Sequence, residues 1–288
     1  MLPGLFQAAD RASLDGQRRS VRLTAWRLVL AALAALTGTF SITFGGRLDY
    51  AAIGTALAFI AAAVLEQYFL RDKPDRSWYD GRAVAESVKT LAWRYSVGAN
   101  PFPKSLDGTT ADTRFNTQLL LLLDDAPDTD LRPTSAPAIS AAMRTLRAGD
   151  LATRKRAYLT GRITDQQNWY ANKADYNRRR AKWWRWALFL LEVVAAAAAL
   201  ARVFQAVSFD LTGIFAALMA GGVAWLGVKQ HDSLARAYTL ASHELSIICA
   251  QLEGQVTEER WAAEVRDAEE AISREHTMWR ASRSGQLA

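Results

Sequence analysis

Histidine and cysteine are the residue types most often found at metal and nucleophilic sites, and this chain has few of them. Its three histidines, His231, His243 and His276, are dispersed, and Cys249 is its single cysteine. The spacing of His243 and Cys249 does not bring both side chains to one face of a helix. The sequence therefore predicts no zinc site, and a single cysteine excludes an intramolecular disulfide framework.

Catalytic motifs are also missing from the sequence. It contains no G-x-x-x-x-G-K-[ST] phosphate loop, no H-E-x-x-H, no G-x-S-x-G and no paired C-x-x-C. A catalytic site would have to be assembled from scattered carboxylates, and that remains the less favoured alternative. We expect a protein that is not an enzyme and that holds no cofactor and no metal.

Polar residues inside apolar runs are the more informative candidates. An ionisable group in a membrane helix faces a partner or water more often than lipid, and Glu66 and Glu192 are such groups. Thr37 and Ser41 are predicted to share one helix face. These four residues are candidates for lining a polar pathway. Two alternatives stay open: Glu192 reaches the headgroups or pairs with an upstream basic residue such as Arg185, and the hydroxyls bond their own helix.

Four apolar runs, arranged as two hairpins, carry these residues. Their lengths reach the lower end of the ~17–25 residues that cross a bilayer core and exceed the ~10–14 of a buried soluble helix. The alternative is a water-soluble bundle with unusually apolar core helices. We predict an all-α membrane protein with two transmembrane helical hairpins and long cytoplasmic helices packing as a bundle. The predicted transmembrane segments are about 28–44, 50–70, 184–203 and 211–228.

Basic residues flank the four runs on one side only. Arginines and lysines precede the first and third runs and follow the second and fourth, whereas the hairpin tips hold only Arg47 with Asp49 and Arg202 with Asp210. By the positive-inside rule, both termini and the middle of the chain are cytoplasmic. The net charge of +6 is concentrated at these flanks, so anionic lipid explains it more simply than nucleic acid does.

Small residues recur at four-residue spacing in three of the runs. They predict flat faces on which helix backbones approach closely. Such faces occur within a hairpin or between subunits, and both uses are open. Two hairpins leave no room for a wide aqueous channel, so conduction would require a homo-oligomer. The candidate packing residues are Gly38, Gly54, Gly213, Ala217 and Gly221.

The two hairpins resemble copies of one unit. Shifting the first by 158 positions superimposes Arg22 on Arg180 and Trp26 on Trp184. The predicted organisation is a first unit at 1–124, a linker at 125–137 and a second unit at 138–288. Gly149 and Gly161 are weak points in the helical stem of the second unit.

The helices that follow the hairpins show apolar stripes. Ser77 is predicted to cap an exit helix at 77–97, and Asp112 to cap a helix whose five leucines end at Leu123 and must be buried. Packing against the chain itself and a seam between subunits are both open for the stripes. The later stripe, broken at Gly254, comprises Leu234, Tyr238, Ala241, Leu245, Ile248, Leu252, Trp261, Val265, Ala268 and Ile272.

A sequence pattern after the first hairpin resembles a known family. Arg82-x-x-Ala85-Glu86-x-x-Lys89-x-x-x-Trp93-Arg94-Tyr95, followed by Asn100-Pro101-Phe102, is similar to the bacterial SLATT family, the SMODS and SLOG associating two-transmembrane effector domains. The second hairpin is similar to another branch of that family but lacks a Trp-Arg-Tyr equivalent near Cys249. The resemblance covers most of the chain, from about residue 8 to about residue 282.

The resemblance implies a function and a place in the cell. It implies a pore-forming or membrane-disrupting effector of a bacterial conflict or antiphage system, multi-pass in the inner membrane and triggered by a cytoplasmic sensor or a nucleotide-signalling partner. A membrane-anchored, non-conducting scaffold or sensor is the alternative. Five residues of the exit helix are candidates for gating or partner contact, or else for ordinary packing: Arg82, Glu86, Trp93, Arg94 and Tyr95.

Overall fold

The computed structural model describes residues 2–43, 48–125, 131–205, 211–254 and 257–284, with side chains up to residue 273. All regular structure in these residues is helical, as predicted. The helices are α1 Gly4–Gly38, α2 Tyr50–Asp72, α3 Pro74–Val97, α4 Gly108–Asp124, α5 Ala141–Ala148, α6 Leu151–Tyr158, α7 Asp165–Val203, α8 Thr212–Lys229, α9 His231–Leu252 and α10 Glu258–Ser284, with a π-helical turn at Leu159–Thr164 between α6 and α7.

The chain divides into two compact units. The core unit comprises Met1–Gln17, Pro74–Lys173 and Ala237–Ala288, and the spanning unit comprises Arg18–Lys73 and Ala174–Arg236. Both units are discontinuous in sequence. Each of them therefore contains residues from both predicted halves of the chain.

Four helices are long and apolar enough to cross a membrane. At most 6 % of the most apolar stretch of each is buried against the chain itself, which excludes the soluble bundle with apolar core helices. The first run is less helical than predicted: α1 ends at Gly38, not near residue 44, and residues 40–42 are irregular. The tip residues Arg47 and Asp210, and residues 126–130 of the predicted linker, lie outside the described residues.

Helix α3 begins at Pro74, so the prediction that Ser77 caps it was wrong. Lys73 adopts a left-handed conformation with φ 41° and ends α2, while its N–H donates to the carbonyl oxygen of Phe69. Proline is well suited to the first position of a helix, because its missing N–H would find no intrahelical partner there. Ser77 therefore lies within the first turn of α3.

Helix α4 also differs from the prediction. Its cap is Asp107, which accepts from the N–H of Thr110 at 2.9 Å, rather than Asp112. The five leucines are not all buried, since Leu120 is 62 % and Leu121 is 51 % exposed. Successive residues of a helix point in different directions, and of the five leucines only Leu119 is buried, on the side that faces the core.

The predicted weak points of the stem are real irregularities. The helix is interrupted at Gly149, between α5 and α6. Asp150 caps α6 by accepting from the N–H of Thr153 at 2.7 Å. Gly161 lies in the π-helical turn, where a Cβ would be 3.1 Å from Cη2 of Trp93. The π-helical turn thus brings its backbone close to the Trp93 ring of the exit helix, and a side chain at position 161 would require that ring to shift by a few tenths of an ångström.

The core unit holds two hydrophobic clusters. One packs the apolar face of α3 against the start of α1, α4 and α5, and includes Val88 and Tyr95. The other joins α3 to the stem, α9 and α10. The predicted seam residues Ala241, Leu245, Leu252, Trp261, Val265, Ala268 and Ile272 belong to this second cluster, so these residues pack within the chain.

A close crossing of α1 and α3 was not predicted. A Cβ on Gly81 would lie 2.8 Å from the backbone nitrogen of Ser13, and one on Gly16 would lie 2.6 Å from that of Trp78. The Ser13 hydroxyl donates to the carbonyl oxygen of Trp78 at 3.0 Å. The two backbones therefore touch where each helix carries a glycine.

Candidate functional site

The first hairpin contains a hydrogen bond between its two helices. The hydroxyl oxygens of Thr37 and Thr55 lie 2.8 Å apart, and either hydroxyl can be the donor. Each oxygen also lies within hydrogen-bonding distance of a carbonyl oxygen of its own helix. A Cβ on Gly54 would lie 3.5 Å from Cγ2 of Thr37, and one on Gly38 would lie 3.7 Å from the hydroxyl of Thr55. The structure thus brings together Thr37 and the predicted packing residues Gly38 and Gly54.

Ser41 does not share a helix face with Thr37, because the helix ends at Gly38. Its hydroxyl instead donates to Oδ2 of Asp49 at 2.6 Å. The same carboxylate caps α2, accepting from the N–H of Ala51 at 2.9 Å and of Ala52 at 3.2 Å. Ser41 therefore belongs to the hairpin tip rather than to a line of hydroxyls along the helix.

The two intramembrane glutamates have different surroundings. Glu66 forms an ion pair with Arg27, and both side chains are more than a third exposed. Glu192 is exposed, and in the described residues it has no hydrogen bond or ion pair. Its predicted alternative partner Arg185 binds Asp232 instead, at 3.0 Å. Pairing with Arg185 is thus excluded for Glu192 in this arrangement.

The small residues of the second hairpin have no such contact. A Cβ on Gly213 or Gly221 would meet nothing within 4 Å, whereas Ala217 between them is half-buried. The close approach in this hairpin is at Gly222, where a Cβ would lie 2.7 Å from Cδ2 of Leu188. The predicted face is thus not used within this hairpin at Gly213 or Gly221, and its use between subunits stays a prediction.

In the core unit, the exit motif lies at the centre of the structure. Trp93 is buried and packs edge-on against Tyr158, with ring centroids 5.9 Å apart. Tyr95 packs against Phe102 and Phe115 at centroid distances of 5.8 and 5.1 Å. The Trp-Arg-Tyr motif thus contributes Trp93 to the second hydrophobic cluster and Tyr95 to the first, where Phe102 of the Asn-Pro-Phe loop also lies.

The hydroxyl of Tyr95 is held by a charged partner. It donates to Oδ1 of Asp112, whose Oδ2 accepts from Nη2 and Nε of Arg144 at 2.8 and 3.1 Å. Burial and the adjacent carboxylate of Asp112 raise the pKa of Tyr95 to about 12. The acid that was predicted to cap α4 thus anchors the exit helix instead.

Two arginines that the sequence reasoning missed fix the end of α3 and the loop behind it. Arg147 donates to the carbonyl oxygens of Phe102 at 2.7 Å, Tyr95 at 3.2 Å and Pro103 at 3.1 Å. Arg154 is fully buried and donates to the carbonyl oxygen of Val97 at 2.7 Å. Carbonyls at the end of a helix lack intrahelical partners, and guanidinium groups satisfy them here.

A buried ion pair connects the π-helical turn to α10. Arg162 donates to both carboxylate oxygens of Glu269 at 2.9 and 2.8 Å, and the two side chains are 1 % and 0 % exposed. Tyr158 and Thr90 donate to the same carboxylate at 3.0 and 2.8 Å. Burial disfavours the charged guanidinium, yet Glu269 holds the pKa of Arg162 above its ordinary value.

Glu86 and Arg82, both predicted candidates, lie near this pair on α3. Arg82 donates to Glu86 at 2.7 Å, and the Glu86 side chain is 8 % exposed. Lys89, one turn further, donates to Oε1 of Gln166 at 3.3 Å. Burial lowers the pKa of Lys89, and Glu86 opposes that shift. Positive and negative side chains thus alternate along α3 near the buried Arg162–Glu269 pair.

A sequence signal for Glu269 did exist. It lies one turn after Val265 and nearly one turn before Ile272, within the apolar stripe of α10. A carboxylate within such a stripe must find a buried partner. No comparable signal marks Arg162.

The described residues contain no group of three or more His, Cys, Asp or Glu side chains able to hold a metal ion.

Two family descriptions match the chain. Residues 3–155 match "SMODS and SLOG-associating 2TM effector domain 3", and residues 158–279 match "SMODS and SLOG-associating 2TM effector domain 1". Among curated proteins and solved structures, none matches the chain. The two matches confirm the resemblance read from the exit motif and the suspected duplication. Since the first match alone covers more than half of the 288 residues, the chain belongs to the SLATT family and consists of two SLATT domains in tandem.

Proposed function

We propose that this protein is a membrane effector of a bacterial conflict or antiphage system that forms a pore or disrupts the membrane when a cytoplasmic signal triggers it. The observation that carries the proposal is the exposure of four apolar helices, which are at most 6 % buried in their most apolar stretches. Exposed apolar area of this extent needs lipid or other helices to cover it.

Conduction would require several copies of the chain. The polar groups of the four spans are few, and Thr37 is already bonded to Thr55. Water in a pore needs partners that alanine and leucine do not supply. Glu192, exposed on α7, and the free space around Gly213 and Gly221 on α8 support an assembly of subunits around an axis.

Membrane potential in whole cells is the first test. Cells that express the chain together with its genomic neighbours should depolarise on induction of the system, and Glu192→Gln should reduce or alter that depolarisation at equal expression. Glu259→Gln, an exposed carboxylate outside the spans, is the matched control. Near-native depolarisation by Glu192→Gln would show that this carboxylate reaches the headgroups instead.

The alternative, a non-conducting scaffold or sensor, gives a different result. In that case neither cells nor proteoliposomes holding the purified chain would lose a potassium diffusion potential, whatever the trigger. Persistent polarisation in both assays, with the protein folded and inserted, would contradict the pore.

Orientation is tested separately by cysteine labelling. In a Cys249→Ser background, we expect Leu48→Cys at the first hairpin tip to react with an impermeant maleimide in intact cells. Thr109→Cys at the start of α4 should react only after lysis. Both positions are exposed. Labelling of Thr109→Cys from outside would overturn the cytoplasmic placement of the core unit.

A further inference from the structure

Three arginines of the core unit converge on one surface cleft. The cleft has a volume of about 490 Å³ and is lined by Arg94, Asn100, Pro101, Pro103, Arg114 and Arg266. These residues come from the end of α3, the loop after it, α4 and α10. The neighbouring groove along α4 contributes threonines and Arg114 as well.

The guanidinium groups are held in place by backbone carbonyls. Arg94 donates through Nη2 to the carbonyl oxygen of Arg266 at 3.0 Å, and Arg114 donates through Nη1 to that of Pro101 at 2.7 Å. The Arg94 side chain is only 14 % exposed, and its Nε has no hydrogen-bond partner in the described part of the chain. Fixed guanidiniums of this kind lose little side-chain entropy when they bind an anion.

The charges of the cleft are not balanced by its own carboxylates. Asp267 binds Arg266 at 2.8 Å, and Glu270 lies 3.3 Å from Arg94 and 3.8 Å from Arg266. Both carboxylates are more than half exposed, and within the described residues no ion pair to Arg114 occurs. Each guanidinium has five N–H donors, and in the described residues Arg114 uses one of them, in its bond to Pro101, so it keeps donors for a ligand.

We propose that this cleft binds a soluble small molecule bearing two or more phosphate charges. Guanidinium forks match phosphate oxygens in geometry, and charge-assisted bonds of this type are about twice as strong as neutral ones. The side-chain amide of Asn100 adds a neutral hydrogen-bonding group beside them. Glu270 is an internal anion that competes with the ligand for Arg94 and Arg266.

The position of the cleft gives the ligand a consequence. Arg94 and Arg114 belong to the first SLATT match, and Arg266 belongs to the second. A bound phosphate would therefore join the two domains within the core unit. A role as the trigger rests on the proposed function, whereas binding itself is measured without conduction.

Calorimetric titration of the purified full chain in detergent with inorganic pyrophosphate tests the proposal. We expect binding that weakens about tenfold or more in Arg114→Gln and in Arg266→Gln. Arg260→Gln is the matched control, because Arg260 lies on the same helix but pairs with Glu264 at 2.7 Å. Glu270→Gln should tighten binding, which a misfolded variant would not do. Absence of binding by the native chain, or equal weakening in Arg260→Gln, would overturn the site.

The source of the phosphate is distinguished by a second arm in nanodiscs. Pyrophosphate should bind equally well in phosphatidylcholine discs and in discs that contain phosphatidic acid. Loss of binding in phosphatidic acid discs would mean that a lipid headgroup occupies the cleft, and would overturn the soluble ligand. Binding without triggered depolarisation would contradict the proposed function alone, and depolarisation without binding would contradict this site alone.

Discussion

The core unit and the spanning unit place their charged and small residues in opposite ways. In the core unit the Arg162–Glu269 pair is almost completely buried, and two glycines bring α1 and α3 into backbone contact. In the spanning unit the Arg27–Glu66 pair is more than a third exposed. One unit thus holds a hydrogen-bonded ion pair in its interior, and the other leaves an apolar surface that lipid or other helices must cover.

This contrast concerns how strictly each unit is held to one packing arrangement. A buried guanidinium has a defined set of partners, so it fixes one packing arrangement at a high cost if a partner is removed. Spans that meet through small residues and a hydroxyl pair depend on shape, since lipid is as apolar as their own side chains. We therefore expect the core unit to be sensitive to single changes and the spans to be tolerant.

The largest expected effect comes from breaking the buried pair. Arg162→Ala leaves Glu269 charged in an apolar core and should lower the free energy of unfolding by about 3–5 kcal/mol. The exposed Arg260–Glu264 pair is the control, and Arg260→Ala should cost less than about 1 kcal/mol. Thermal unfolding in detergent, followed by tryptophan fluorescence, measures both. Equal melting shifts would contradict the difference between buried and exposed ion pairs within the core unit.

Close backbone contact should rank next. Gly81→Ala places a Cβ against the backbone of Ser13, which cannot rotate away, and should cost about 1–3 kcal/mol or more. Gly213→Ala in the spanning unit meets nothing within 4 Å and should leave the melting temperature unchanged. A loss of stability in Gly213→Ala, measured across protein concentrations, would instead reveal a contact between chains.

A smaller effect is expected within the first hairpin. Thr37→Val removes the bond to Thr55 and should cost about 0.6 kcal/mol, the average for hydrogen bonds between membrane helices. Thr39→Val is the control, because Thr39 donates to the carbonyl oxygen of Ala35 on its own helix. Equilibrium unfolding in mixed micelles resolves the difference. An effect in Thr39→Val as large as that in Thr37→Val would refute the role of the pair.

The last expected effect is the dependence of the free energy of unfolding on the ionisation of Tyr95, which changes at high pH and not at neutral pH. Its pKa is about 12 in the fold and about 10 in an unfolded chain, so the unfolded state loses the proton first. The contribution of this raised pKa to the free energy of unfolding is complete below about pH 10 and is lost as pH rises from about 10 to 12. Stability of Tyr95→Phe should therefore fall less steeply over this interval. Tyr68→Phe, on an exposed side chain, should retain the native slope.

Apolar patterns predicted most of the fold. Composition identified the four spans, and periodicity identified the stripe from Ala241 to Ile272 and its break at Gly254. These features depend on neighbours within a few turns. Helix ends were less predictable: the choice of Asp107 over Asp112 as a cap depends on where Tyr95 and Arg144 lie in space.

The buried arginines could not be predicted, because their partners are distant in sequence. Arg154 binds the carbonyl oxygen of Val97, 57 residues away, and Arg162 binds Glu269, 107 residues away. An arginine on a mixed helix looks like a solvated residue until its partner is known. The functional roles of Glu66, Glu192 and the Trp-Arg-Tyr motif remain predictions, of which the depolarisation assay tests that of Glu192.

The helix that runs from Leu151 to Val203 has a genetic consequence. The boundary between the two family matches falls at residues 156–157, inside α6. Trp93 from one domain and Tyr158 from the other share a cluster on either side of that boundary. Splitting the gene there would produce two fragments, each exposing half of a common core. We therefore expect that neither half of a gene divided at this boundary encodes a fragment that folds by itself.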